Sequence, residues 1–538
     1  MSLTTRGLRR SLLTLGIAGA AALTIATPAF AQPNGHSSAP ALAPGNLLVS
    51  TSQYVGTPKI VAGKTELPPN CTGANCVTAV SGSQYPQVFD NDGADSSFGV
   101  TSPIVLDELT PTGRQLAKFT VPEAGGAVTS FSSKSELALN LSTSGDYVTF
   151  MGYAAPSDSV DVSNANTPAV VDPTNPDPNS AYRVVVQLGA DGRFHFTETN
   201  AYSGNNGRAA VLADTDGVNE IYTAGNAGNG SNPQPSGVVL GAGAQLMTPS
   251  TLPEVKQNPG LPTPVGSFSV TQLGDKADKV GKDTNFRGLT IHDNVLYFTK
   301  GSGSNGVNTV YFLDTTGAAC PSGVGIPAPN AALPSAALTY DAQQGLTPNN
   351  MCVLAGFPTG LAKSDTDFFP FGLWFAGEDT LYVAQEGDGG NTFDTATDTY
   401  TDAASSATAG LQKYTFDPSS KSWVLDYTLQ NGLNLGAPYT VKGYPTGDNA
   451  ATGLPWAPAT DGLRNITGRV NADGTATIWA VTSTVSGNGD QGADPNQLVA
   501  VTDTLSATAQ PSGEAFRTVK AAKNRVVVRG VSFTPGTH

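Results

Sequence analysis

The chain has 538 residues, of which only 13% are charged, with 61 glycines, 38 prolines and a formal net charge of −15. That is about half the usual share of charge for a soluble domain, and with this turn-rich composition it excludes a coiled coil, a collagen-like repeat and long disorder. The acidic balance excludes a nucleic-acid partner, which requires a basic surface to displace phosphate counterions.

The N-terminus carries Arg6, Arg9 and Arg10, an apolar run from Leu12 to Ile25, and Ala29-Phe30-Ala31. A basic start, a short apolar stretch and small residues around a cut site predict a secretory signal peptide over residues 1–31. Arg9-Arg10-Ser11-Leu12-Leu13 also fits a twin-arginine signal, which would export the chain already folded. Residues 32–44 are expected to be a flexible mature N-terminus, and residues 45–538 a single domain. No later segment reaches the length of a membrane span, so a secreted or periplasmic protein, monomeric and without a membrane span, is expected. The four cysteines suit that compartment, pairing most simply as Cys71–Cys76 and Cys320–Cys352. A metal site is the alternative, although no histidine accompanies either pair.

Helical periodicity is nearly absent, and only Pro334–Gly345 suggests a short helix. Short alternating runs rich in Val, Tyr, Phe and Thr dominate, divided by Gly, Asn and Asp. Glu136–Leu141 turns into Asp146–Phe150, and Arg208–Leu212 into Glu220–Thr223. Phe286–Ile291 turns at His292-Asp293-Asn294 into Val295–Thr299. Pro370–Phe375 turns into Thr380–Ala384, and Arg464–Val470 into Thr477–Ala480. These hairpins recur every 70 to 90 residues or so, where a four-stranded blade needs only about 40 to 50, so the surplus is expected in loops. The chain finishes on a first-strand pattern, Arg529–Pro535, and the mature part starts on a second-strand pattern, Gly45–Thr51. Joined, they would form one more hairpin, with Pro103–Leu109 and Arg114–Val121 outside it, and remove an open sheet edge. The expected fold is all-β: a six-bladed β-propeller, with seven blades as the alternative, closed by its N- and C-terminal strands.

The hairpins in which Arg287-Gly288-Leu289 or Phe371-Gly372-Leu373 precede Leu-Tyr-Phe or Leu-Tyr-Val resemble blades of secreted propellers of the NHL and SMP-30 (lactonohydrolase)-like kind. The resemblance implies ligand binding on the face where chains enter the first strands. It also implies a divalent metal on the axis, but the ligand set of that metal is not matched position by position.

Aligned hairpins place Arg208, Arg287, Arg464, Arg529, Glu136 and Phe371 just ahead of their first strands, ringing the expected channel mouth. Like charges crowd only at a cost in free energy unless an anion or paired carboxylates compensate. The arginines therefore predict either a site for a carboxylate, uronate or phosphate ligand, or a plug in which each guanidinium bonds neighbouring carbonyls and acids such as Asp283 or Asp461. Glu136, Asp283, Tyr202 and Glu386 are the candidate acid–base residues. Asp-Gly-rich loops, including Asn91–Asp95 and Glu386–Gly390, suggest Ca²⁺ or another divalent metal, with Asp388 as the candidate ligand. His36, His195, His292 and His538 lie away from this face, and no haem-attachment, nucleotide-cradling or Gly-x-Ser-x-Gly motif occurs. Trp374, Trp423 and Trp479 are expected to pack between blades; Trp456 is the candidate to stack on a sugar. These residues point to a hydrolase or lyase for a small anionic or saccharide ligand, with a non-catalytic binding or adhesion propeller as the alternative. Nothing marks a quinone site.

Overall fold

A computed structural model describes residues 39–96, 98–172, 179–226, 243–261, 263, 285–303, 306–320, 322–335, 340–341, 345–346, 351–364 and 367–538. The expected signal peptide and Asp283 lie outside the described residues. The fold is all-β, and its sheets take a β-propeller arrangement.

Four blades are built from consecutive antiparallel strands, each named here by a residue of its second strand. The Tyr147 blade runs Asn140–Leu141, Tyr147–Tyr153, Arg183–Gly189 and Phe194–Thr199. The Phe298 blade runs Leu289–His292, Val295–Lys300, Thr309–Leu313 and Met351–Leu354. The Tyr382 blade runs Pro370–Phe375, Thr380–Gln385, Gly410–Asp417 and Ser422–Leu429. The Trp479 blade runs Ala459–Val470, Thr475–Val485, Leu498–Thr504 and Arg517–Lys520.

Two sheets depart from that plan. Gly207–Ala213, Glu220–Gly225 and Ala244–Met247 form a three-stranded sheet. The terminal sheet orders Val526–Phe533, Leu47–Gln53, Thr101–Leu109 and Gln115–Thr120, with Leu47 opposite Phe533 and Gln53 opposite Val526, and through Val128–Ser130 it is continuous with the Tyr147 blade. Four blades are therefore found, rather than six or seven. The Arg208 hairpin gains only one further strand among the described residues, and the terminal sheet draws its edge strand from the far end of the chain. Among the described residues of Pro334–Gly345, where a short helix is expected, Tyr340–Asp341 is instead a strand paired with Gly345–Leu346. Tyr prefers extended backbone and Gly punctuates it. Residues 39–44, expected to be flexible, are tied down: Ala39 and Leu42 are buried and donate backbone hydrogen bonds to Gly192 and Ala190. Both expected disulfides, Cys71–Cys76 and Cys320–Cys352, are formed. No helix among the described residues is long and apolar enough to cross a membrane.

First strands of successive sheets touch, and one device recurs where they do. A Cβ on Gly288 would stand 2.1 Å from the carbonyl oxygen of Phe371; on Gly372, 2.5 Å from that of Arg464; on Gly530, 2.3 Å from that of Leu137. Glycine is needed at these places because backbone meets backbone, not because of an unusual φ. Hydroxyls of the second strands fix the same approach. Thr299 Oγ1 donates to Phe371 O at 2.5 Å, Thr149 Oγ1 to Ala210 O at 2.7 Å, and Ser50 Oγ to Leu137 O at 2.8 Å. Asn465 Oδ1 accepts from Val531 N at 2.7 Å.

Gly372→Ala is expected to destabilise the protein by at least about 1–3 kcal/mol through overpacking, whereas Gly82→Ala, with open space around its Cβ position, should be near neutral. Equal urea midpoints for the two variants would contradict the close-approach account.

Candidate functional site

Because each first strand is pressed against its neighbour, its arginine is brought in beside the others: Arg208, Arg464 and Arg529 lie within their first strands rather than ahead of them, and Arg287 stands two residues before its own. Arg208, Arg287, Arg464 and Arg529 are all buried. Glu386, immediately after the second strand of the Tyr382 blade, reaches between two of them: Oε1 lies 3.3 Å from Nη2 of Arg287, and Oε2 accepts from Nε of Arg464 at 3.2 Å. Burial pushes the Glu386 carboxyl up, but Arg287 and Arg464 outweigh it and hold the group below its usual range. It is therefore an ionised carboxylate serving two guanidiniums.

The other guanidiniums use neutral partners. Arg208 donates to Asn206 Oδ1 at 3.1 Å, to Phe286 O at 3.0 Å and to the Asn285 amide oxygen. Burial, and then repulsion from Arg287, lowers it to about 9. Arg529 donates to Ser52 Oγ at 3.3 Å and Gly492 O at 3.1 Å, and burial followed by Arg464 lowers it likewise to about 9. Arg287 also donates to the Ser135 and Ser302 hydroxyls and lies over the Phe371 ring, 5.6 Å from its centroid.

Two cavities open beside this cluster. The first, about 240 Å³, is walled by Lys134, Arg287, Ser302, Glu386, Asp461 and Arg464, among others. The second, about 410 Å³, includes Lys134, Ser135, Asn205, Asn206, Arg208 and Arg287. The connections from second to third strands supply much of these walls: Asp92, Ser163, Asn226, Ser302, Asp388 and Asp490 come from six such connections.

Asp461 is the residue whose role the sequence did not reveal. It is 3% exposed, and among the described residues its Oδ1 is buried without a hydrogen-bond partner, while Oδ2 accepts from Gly389 N at 3.1 Å. Burial first, then repulsion from Asp388, raises it to about 7. A side chain on Gly387 would collide with this carboxyl, its Cβ standing 2.4 Å away, so glycine there lets the loop close over Asp461. The cavity thus holds one carboxylate kept ionised and one carboxyl that exchanges a proton near neutrality, the combination general acid–base chemistry requires.

Of the other expected site residues, Glu136 is buried away from the cavity walls. It accepts from Thr129 Oγ1 at 2.9 Å, Ser130 N at 3.1 Å and the Tyr153 hydroxyl, and burial raises its carboxyl. Tyr202 packs among Met151, Val185 and Ile221, its hydroxyl 2.8 Å from Thr223 Oγ1. Trp456 packs against Tyr444, ring centroids 6.2 Å apart. Asp388, the expected metal ligand, stands in the wall of the narrower cavity beside Glu386 and Asp461. Among the described residues, the one grouping of three metal-capable side chains is Asp314, Cys320 and Cys352, whose sulfurs form a disulfide.

No protein-family model and no curated protein sequence matches the chain. Among solved structures it is similar to an acylaminoacyl peptidase in complex with Z-Gly-Gly-Phe-chloromethyl ketone (TM-score 0.28, 8% identity), covering 78% of this chain and 42% of that one. A Pyrococcus horikoshii acylaminoacyl peptidase matches over the same shares with TM-score 0.26 and 9% identity. A polysaccharide lyase, an ulvan lyase, matches with TM-score 0.29 and 9% identity over 80% of this chain and 89% of its own. The chain therefore spans less than half the length of the peptidases. Likeness at this level assigns no activity.

The raised Asp461 gives a pH signature. Its proton stabilises the fold at pH values below the ordinary carboxylate range, and that contribution is lost as pH rises through about 7. Relative to Asp461→Asn, the wild type should lose thermal stability between about pH 4 and 8. A flat difference in Tm across that range would refute the shifted carboxyl.

Proposed function

We propose that this protein is an exported propeller, its ring closed by its two chain ends and akin to the NHL and SMP-30-like kind, that binds a small anionic or sugar-derived ligand at the axial cavities and hydrolyses or eliminates it. Support for the closed ring comes from the Leu47–Phe533 register and from the Ser50–Leu137 and Asn465–Val531 hydrogen bonds. The observation that carries the chemistry is the unpartnered, buried Asp461 oxygen in a cavity walled by Arg287, Arg464 and Lys134. The cations draw a carboxylate, uronate or phosphate into this space, and Asp461 takes up or returns a proton there. Glu386 stays ionised and holds the two guanidiniums in position. No step is routed through a metal.

Non-catalytic binding is favoured by a different observation: Arg208 and Arg464 already have internal partners, as a structural plug requires. Turnover separates the two readings. In a screen of uronates, aldonates and their lactones or glycosides, Arg287→Lys, which keeps the charge but loses the fork, should weaken binding about 10-fold or more. Asp461→Asn should lower turnover by about 10²–10⁴-fold. Binding without turnover in the wild type would establish the non-catalytic reading. Undiminished turnover in Asp461→Asn would reject Asp461 as the proton carrier.

A further inference from the structure

We infer that the two axial cavities are consecutive subsites for one elongated ligand, a carboxylated oligosaccharide at least two units long, whose negative charge sits at the junction formed by Lys134 and Arg287. This rests on the anionic-ligand reading above and extends it from a single small molecule to a chain.

Four observations combine. The cavities, about 240 and 410 Å³, have Lys134 and Arg287 in common, so these two cations stand at their shared boundary. Lys134 is half-buried, and among the described residues its ammonium makes no hydrogen bond or ion pair, although its charge helps hold Glu386 ionised. An ammonium ordered between two cavities without an acid of its own is a place for a ligand's acid. The wider cavity is lined by hydroxyls and amides, including Ser132, Ser133, Ser163, Asn205, Asn206 and Asn226, with no aliphatic or aromatic residue in its wall. Such a wall matches a polyhydroxylated ring and offers little to an apolar group. Lastly, Asp461 lies only in the narrower cavity, so the proton-exchanging group faces one unit of the chain while the neighbouring unit is held by hydroxyls and amides.

Asp92 and Asp490 also line the wider cavity, and Asp388 the narrower one. They place negative charge around the junction, where Lys134 and Arg287 are the two cations common to both cavities. A uniformly polyanionic ligand would meet these acids unit after unit. The geometry therefore selects a chain in which one carboxylate sits at the junction and the flanking contacts are hydroxyls.

The test is calorimetric titration of the full chain with glucuronic acid (the monomer) and with an aldobiouronic acid, one glucuronic acid joined to one neutral sugar (the dimer). The dimer should bind at least 10-fold more tightly than the monomer. Lys134→Met should weaken both ligands about 10-fold or more, and Lys134→Arg should restore them; rescue by the like-charged residue separates this from loss of folding. Equal wild-type affinity for monomer and dimer, with both weakened by Arg287→Lys, would overturn the two-subsite inference while leaving the anion site standing. Wild-type protein that binds neither would overturn both.

Discussion

Backbone touching backbone at the first strands is the constraint from which the site follows. Gly288, Gly372 and Gly530 each remove a Cβ where a neighbouring carbonyl stands within about van der Waals reach of the main chain. The residues preceding the three glycines are Arg287, Phe371 and Arg529. Strands that approach this closely carry the preceding side chains inward together. The crowding of guanidiniums is thus a consequence of strand packing. Once it exists, the protein must compensate it, because an unpaired buried charge costs several kcal/mol. Glu386 provides that compensation for Arg287 and Arg464, and backbone carbonyls and amides provide it for Arg208 and Arg529.

Two carboxyl groups in one cavity wall then diverge. Glu386 and Asp461 are both buried, and burial raises both. What separates them is contact. Glu386 touches two guanidiniums and falls below its ordinary range. Asp461 has one backbone N–H on Oδ2 and the acid Asp388 nearby, and it rises. Divergent environments for neighbouring titratable groups are how one fold supplies an anchor and a proton carrier side by side.

Much of this was legible in the residues, and what was missed has physical reasons. The hairpins at Arg287, Phe371 and Arg464 are visible because period-2 alternation and Gly/Asp turns are local signals. So is the pairing of Leu47–Gln53 with Val526–Phe533, since each is a strand lacking its partner. The number of regular blades was not legible, because whether a fourth strand joins the Arg208 hairpin depends on long-range pairing. Glu386 was found as an acid in an Asp-Gly loop, but its position between two guanidiniums is set by the meeting of two blades. In the sequence Asp461 reads only as an arginine's partner; its sole local mark is that it precedes Arg464 by three residues. Lys134 had a comparable clue, two residues ahead of Glu136 in the approach to a first strand, yet Glu136 turned inward to Tyr153 while Lys134 faces the cavities.

The long connections also acquire a purpose. Residues between Gln53 and Thr101 do more than link two strands: Tyr54, Tyr85, Val88 and Phe89 pack with Tyr444 and Trp456 from a connection of another blade. Asn449 Nδ2 donates to Asp90 Oδ1 at 2.7 Å across this contact, and Tyr85 donates to Ala493 O at 2.9 Å. Asp92 and Asp490, both in the wall of the wider cavity, lie within a few residues of these contacts. A short turn would leave the first strands' cations in open solvent, where water screens them and competes for any ligand. Loops with their own apolar packing raise a wall around the same cations. Glycine places the charges, and the surplus residues between strands wall them in.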